Sequence, residues 1–242
     1  MWGTHQFYIS YNNTLKFNIF TTIKSLNSLL FNKKQINISV LTEEKKETLN
    51  LTLNAFPYLF SDKIMLLCEQ IHGNKIAFLE QPLSNLPSLE LNNGRKVYYH
   101  IFPSTDGIIT TLSNAFIVIF TADCIPLFVY DEEEMVFGLV HAGRKGIELG
   151  IIDNLIEILA KNSQNIAKFK FVIGPHICPK CYIVDGKEYS LTDKIINQLL
   201  KLGVNKGNVT SSPFCTCHNS EYFYSYRKDK TECRNISVIL PK

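Results

Sequence analysis

Three short segments set a metal-binding side chain beside a glycine or a turn: Gln70-Ile71-His72-Gly73, Thr121-Ala122-Asp123-Cys124-Ile125-Pro126 and Val140-His141-Ala142-Gly143. Each adjoins an apolar run with strand character. Imidazole and thiolate are good zinc ligands, and three protein ligands leave a fourth position open, which separates a catalytic zinc from a structural one. Two histidines and one cysteine set one negative charge against the ion's two. That leaves a Lewis acid able to lower the pKa of bound water or to polarise an anionic substrate. Asp123, next to Cys124, is the carboxylate expected to orient a ligand or handle a proton. The three ligands lie far apart in the chain and no short metal motif joins them. A histidine beside glycine also serves in turns, and a cysteine in an apolar run also serves as core.

Other chemistries compete for these residues. Cys178-x-x-Cys181 and Cys215-x-Cys217 together supply four thiolates for a structural zinc. The first pair has ribbon spacing and the second is shorter than a knuckle requires. Such a site alone would make the chain a non-enzymatic zinc-binding module. Cys124 is also a candidate thiol nucleophile with a histidine as its base. A copper oxidase needs several copper sites, and His5, His100, His176 and His218 form no recognisable cluster, so zinc is preferred to copper.

The elements that must position these residues are legible from about residue 35 onward. Residues 35–41 alternate apolar and polar as a strand does. Thr42 followed by Glu43 and Glu44 reads as the capped start of a helix running to about Phe56. Strands are expected at 63–69, 75–79, 107–111, 115–121, 125–130 and 135–140, rich in Val, Ile and Phe as buried sheet is. One helix is expected from about Ile147 to Lys161, with Ile151, Leu155, Ile158 and Leu159 on one face. A short strand follows at 170–173. A second helix runs from about Leu191 to Leu202, with Ser190 or Thr192 as cap and Gly203 as stop, and a last strand spans 235–240. Residues 7–21 show no clean period. Strands and helices mix without regular alternation, and there is neither a dinucleotide fingerprint nor a P-loop. The expectation is a mixed α/β (α+β) chain, central sheets flanked by helices, in one domain over residues 1–242.

Composition narrows the partners. A net charge of +3 with scattered basic residues argues against nucleic acid. The densest basic group, Arg227, Lys228 and Lys230, is broken by Asp229 and suits a solvated loop or a phosphate site. The longest apolar run, Phe116 to Tyr130, carries Asp123 and Cys124 and is too short for a bilayer helix, so no membrane partner is expected. The first residues lack a basic region followed by an apolar core, which points to a cytoplasmic chain whose seven cysteines stay reduced. The sequence carries no signature of an oligomeric state.

The order of the motifs resembles a known family. Gln70-Ile71-His72-Gly73, Asp106-Gly107 with Thr110-Thr111, Thr121-Ala122-Asp123-Cys124-Ile125-Pro126, His141-Ala142-Gly143, Ile173-Gly174-Pro175 with Cys181-Tyr182, and Tyr224-Ser225-Tyr226-Arg227 follow the order found in laccase-domain (polyphenol oxidase) proteins, over about residues 35–240. The resemblance implies an α/β fold and a zinc held by His72, Cys124 and His141. It also implies phosphorolysis of purine nucleosides (adenosine, inosine, guanosine and methylthioadenosine), with adenosine deamination as a possible second activity. Some members are described as copper polyphenol oxidases or peptidoglycan-editing hydrolases. By the same resemblance Asp123, Cys124 and Arg227 are the catalytic candidates, and Asn37, Arg144, Lys145 and Arg227 the contacts to nucleoside and phosphate. The chain departs from the family in places. His-Ala-Gly is followed by Arg144-Lys145-Gly146 rather than Trp-Arg-Gly, which puts a bidentate contact from position 145 in doubt. Pro179-Lys180-Cys181-Tyr182-Ile183 lacks the family's carboxylate, and the His-Val-Gly-Asp expected after Asn37 is absent.

Overall fold

The computed structural model describes residues 1–5, 8–24, 41–163 and 165–242. The strand expected at 35–41, Leu41 apart, and Asn37 lie outside the described residues. The chain opens with strands β1 Trp2–Thr4, β2 Tyr8–Tyr11 and β3 Phe17–Thr22, then helices α1 Glu43–Ala55 and α2 Pro57–Phe60. Eight strands follow: β4 Ile64–Cys68, β5 Ile76–Leu79, β6 Ser88–Glu90, β7 Lys96–Phe102, β8 Gly107–Thr110, β9 Ala115–Thr121, β10 Ile125–Asp131 and β11 Val136–Ala142. The last third holds α3 Arg144–Glu148, α4 Ile151–Asn162, β12 Lys170–Ile173, the hairpin β13 Ile183–Val184 and β14 Lys187–Glu188, α5 Leu191–Lys201, β15 Val209–Ser211, α6 Tyr226–Asp229 and β16 Asn235–Pro241.

Among the described residues these strands form two large mixed sheets. One has the order β1-β2-β3-β16-β9-β4-β7-β6, the other β15-β12-β10-β11-β8-β5. Every residue of β9, β10, β11 and β16 is buried. Successive side chains of a strand leave opposite faces, so a strand covered on both sides reads as a continuous apolar run rather than an alternation. Ile117 and Ile119 of β9 meet Phe128, Phe137 and Leu139 between the sheets. Phe116, Val118 and Phe120 face the other way, toward Leu49 and Leu53 of α1. Ile125, Leu127 and Val129 of β10 pack beneath Ile151 and Leu155 of α4 and Ile195 and Leu199 of α5. The architecture is helix, sheet, sheet, helices, as expected for central sheets flanked by helices.

Local signals account for most helix ends. Thr42 Oγ1 accepts from Lys45 N at 3.4 Å and starts α1 where expected. Buried Thr52 and Asn54 return their side chains to the carbonyls of Thr48 and Asn50, which satisfies polar groups inside the layer. Ser190 Oγ caps α5 by accepting from Asp193 N at 3.0 Å, and Gly203 at φ +89° follows its end. The single helix expected from Ile147 to Lys161 is corrected to two, α3 and α4. Gly150 between them has φ +85°, a conformation that interrupts an α-helix and that glycine adopts without strain. No helix among the described residues is long and apolar enough to cross a membrane.

Candidate metal centre

One end of the six-stranded sheet gathers the chemistry. β10 and β11 pair antiparallel with Ile125 opposite Ala142, which brings the residue before Ile125, Cys124, beside Gly143. β8 pairs with β11 through Gly107 opposite Val140, so Asp106 enters next to His141, whose N–H donates to the Asp106 carbonyl at 2.6 Å. β5 lies beside β8 in parallel, with Ile76 opposite Gly107, so the loop holding His72 arrives at the same end. Register alone assembles segments that lie about 70 residues apart along the chain.

His72, Cys124 and His141 offer ligand atoms that all lie within 4.8 Å of one another. Cys124 Sγ stands 4.0 Å from His72 Nε2, and the two imidazoles meet edge to face with centroids 4.7 Å apart. His141 is buried, Cys124 half-buried and His72 exposed, so the trio opens to solvent on the His72 side. Burial alone would raise the Cys124 thiol. The charge and hydrogen bonds of His141 and His72 more than offset it and bring the thiol down to about 6. The same pairing works in reverse on His141. Desolvation would lower it, but Cys124 and the Asp106 carboxylate push it up to about 9.

Asp106 is the residue the sequence reading passed over. It is fully buried and its two oxygens collect four N–H donors. Oδ1 accepts from His72 N at 2.9 Å and pairs with His141 Nδ1 at 2.8 Å. Oδ2 accepts from Gly73 N at 2.7 Å and Ile71 N at 3.2 Å. Burial would raise this carboxyl, and the bonds from His141, Gly73 and His72 outweigh it and hold it below the usual carboxylate range. With Nδ1 committed to Asp106, Nε2 is the nitrogen His141 presents to the trio. The only signal in the sequence was the Asp106-Gly107 pair at the start of β8.

Gln70 holds the same loop from the other side. Its side chain donates to the Phe120 carbonyl at 2.7 Å and accepts from Phe120 N at 2.9 Å, extending the edge of β9. Gln70, His72 and Asp123 sit at φ +59°, +60° and +90°, strained values for non-glycine residues. A zinc ion fits this donor set: two imidazoles and a thiolate converge, one imidazole is oriented by a carboxylate, and Gly143 leaves room. A Cβ on Gly143 would lie 2.9 Å from Cys124 Sγ and 3.2 Å from His72 Cδ2. Gly143 has φ −84°, which alanine adopts freely. The Gly143→Ala variant is therefore expected to fold normally while crowding two ligands at a cost of about 1–3 kcal/mol. Zinc titration should show a dissociation constant raised about 5–150-fold, with the far-ultraviolet dichroism of the wild-type fold retained.

The trio lines a cleft of about 560 Å³, within the size range of small-molecule sites. Lys45, Arg144, Arg227, Lys230 and Arg234 line it, as do Phe120, Tyr182 and Tyr226. Arg227 lies 5.1 Å from the Tyr182 ring centroid. Its backbone N–H donates to Asp123 Oδ2 at 2.6 Å, and Asp123 Oδ1 accepts from Thr216 Oγ1 at 2.7 Å. Asp123 thus bonds the Arg227 turn, while Asp106 is the carboxylate paired with an imidazole of the trio. Thr121 is among the lining residues, and its Oγ1 is buried without a hydrogen-bond partner among the described residues. Arg144 reaches the cleft and pairs with Glu148 at 3.3 Å, whereas Lys145 is exposed and outside the cleft lining. Lys45 and Arg234, absent from the expected contacts, join the lining from distant segments.

The other thiol group also comes together, with one correction. Cys178, Cys181, Cys215 and His218, not Cys217, form the second cluster. Cys217 is half-buried against the core beneath α4 and α5. The overlooked signal was Cys215-x-x-His218, which restores the knuckle spacing that Cys215-x-Cys217 lacks. His5, His100 and His176 join neither cluster.

Comparison with known proteins places the chain. The family described as Multi-copper polyphenol oxidoreductase laccase matches residues 30–192 and 187–242. The chain is 31% identical over 192 residues to "Purine nucleoside phosphorylase Cj1217c" of Campylobacter jejuni, covering 72% of this chain and 76% of that protein. It is 28% identical over 187 residues to "Purine nucleoside phosphorylase YlmD" of Bacillus subtilis, covering 67% and 65%. The crystal structure of the hypothetical protein YfiH of Bacillus licheniformis superposes with a TM-score of 0.79 at 20% identity, covering 100% of this chain and 99% of that one.

Proposed function

The chain belongs to the Multi-copper polyphenol oxidoreductase laccase family, and from its cleft we propose that it is a purine nucleoside phosphorylase whose zinc is held by His72, Cys124 and His141. The observation that carries this is a single cleft lined by five cationic side chains and three aromatic rings together with the trio. That is the complement of a phosphate paired with a flat, uncharged base.

In phosphorolysis a phosphate oxygen bonds to the anomeric carbon as the bond to the purine nitrogen breaks. The protein's task is to gather a dianion and a nucleoside in one orientation, a contribution worth several kcal/mol. Arg144 and Arg227 have the forked geometry for phosphate, with Lys45, Lys230 and Arg234 adding positive potential. Asp123 positions Arg227 through its backbone N–H, and Tyr182 supports the guanidinium. Phe120, Tyr182 and Tyr226 offer faces for the base. A zinc ion held by His72, Cys124 and His141 would supply a Lewis acid beside the phosphate.

The test is base release by the zinc-loaded full chain from adenosine, inosine, guanosine and methylthioadenosine, with and without inorganic phosphate. Free base and the matching sugar 1-phosphate (ribose 1-phosphate, or 5-methylthioribose 1-phosphate from methylthioadenosine) in equal amounts, absent without phosphate, are expected. Base release independent of phosphate, or none from any of the four, would overturn the reading. Inosine accumulating from adenosine in the same assay reports the second activity, deamination.

A further inference from the structure

We propose that Cys178, Cys181, Cys215 and His218 bind a second, structural zinc ion that fastens the turn flanked by the cleft residues Ile177 and Tyr182 to the turn whose Thr216 holds Asp123. The four ligand atoms lie within 4.8 Å of one another. Cys178 Sγ is 3.5 Å from His218 Nδ1, and Cys181 Sγ is 3.3 Å from His218 Nε2. In a tetrahedral zinc site with bonds of about 2.0–2.3 Å, a sulfur and a nitrogen ligand lie about 3.5 Å apart, and one of the two imidazole nitrogens takes the ion. Cys178-Pro179-Lys180-Cys181 and Cys215-Thr216-Cys217-His218 have the two-residue spacing that lets a tight turn offer both its ends to one ion.

A second observation separates a zinc site from a chance gathering of thiols. The backbone N–H groups of Cys178 and His218 both donate to Cys215 Sγ, at 3.3 and 3.4 Å. Sulfur in a thiol is a weak acceptor, and two amides aimed at one sulfur suit a metal-bound thiolate. Three thiolates and one neutral imidazole leave no open position, which is the pattern of a structural ion. The strands deliver both turns together. β12 and β15 run parallel, with Ile173 beside Ser211, and a bridge between His176 and Cys215 continues the pairing.

The position gives the ion a role. Ile177 and Tyr182, on either side of the first turn, line the cleft. Thr216, inside the second, holds Asp123, which in turn holds Arg227. The site is independent of which reaction the cleft performs and of whether the His72 trio holds a metal.

Zinc content of the full chain, purified under reducing conditions, tests this on wild type, Cys124→Ala, Cys181→Ser and His218→Cys. About two ions per chain are expected in wild type and His218→Cys, and about one in each of the other two. A single wild-type ion that Cys124→Ala removes and Cys181→Ser keeps would overturn the proposal. A single ion with the opposite behaviour would uphold it and sink the trio instead. Cobalt loading of Cys124→Ala covers the case in which Cys181→Ser does not fold. Intense thiolate charge-transfer absorption in that variant supports a three-thiolate site, and its absence overturns one. A non-reduced mass two hydrogens light, traced to a disulfide among Cys178, Cys181 and Cys215, would also overturn it.

Discussion

A Cys124→Ala variant is expected to fold yet lose both the ion of the cleft and its phosphate-dependent base release. Cys124 supplies the only thiolate of the trio, and its removal leaves the two imidazoles of His72 and His141. Changing groups that merely orient a ligand costs about 10–100-fold in metal affinity, so losing a ligand should cost more than that. Base release should fall by about 10²–10³-fold, equivalent to ~3–4 kcal/mol of transition-state stabilisation. The metal-free melting temperature should move little, because Cys124 is half-buried at the cleft rather than set in the core. Zinc content and kcat/KM measured on the same samples decide the role of this residue. Zinc retained with activity lost would point to a nucleophilic thiol instead.

The same cysteine carries a pH signature. In the metal-free protein its thiol is held at about 6 and His141 at about 9, so between those limits the pair is a thiolate beside an imidazolium. Binding zinc then displaces the His141 Nε2 proton. Apparent zinc affinity should rise ~tenfold per pH unit from about pH 6 to about pH 9. Below about 6 the thiol is protonated too, two protons must leave, and affinity should fall more steeply. Variants of the Cys178 cluster should keep this profile for the remaining ion.

Much of the site was legible because its residues obey local rules. His72, Cys124 and His141 stand where apolar runs meet glycine or a turn, and a buried strand leaves such marks in sequence. The strands from 107 to 142 were found at nearly their true ends for the same reason. What escaped depends on register. Asp106 reaches His141 only because β8 pairs with β11 through Gly107 and Val140, and no local period announces a pairing partner. Lys45 and Arg234 meet in the cleft from helix α1 and the segment before β16, about 190 residues apart. The first three strands were invisible because they are short or, as in β3, buried on both faces while mixing polar with aromatic residues. Thr21 is buried there and shares a 2.8 Å hydrogen bond with Ser237 across the β3–β16 pairing, so a polar letter marks a core position. The break at Gly150 was missed because the apolar spacing of Ile147, Ile151 and Leu155 continues across it.

The second large effect belongs to Asp106, because one carboxylate does the work of a ligand holder and a loop anchor together. Asp106→Asn keeps the size and removes one acceptor oxygen. Whichever way the amide turns, its NH2 group faces either the N–H groups of Gly73 and Ile71 or those of His72 and His141. Each buried donor left without an acceptor costs about 1–3 kcal/mol. A loss of about 3 kcal/mol should lower the melting temperature by roughly 6–12 °C at this chain length, and it should do so in the metal-free protein as well. Zinc affinity of the trio should fall about 10–100-fold, since His141 loses the partner that fixes its Nε2 toward the cleft. Acid provides the control. The wild-type carboxyl is held below its unfolded value, so its contribution is present above that value, about pH 4, and is lost as pH falls through the folded one. The stability gap between wild type and Asp106→Asn should therefore narrow below about pH 4 and be full at neutral pH. Equal zinc affinity in the two proteins would show that the Asp106 carboxylate holds the loop without orienting His141.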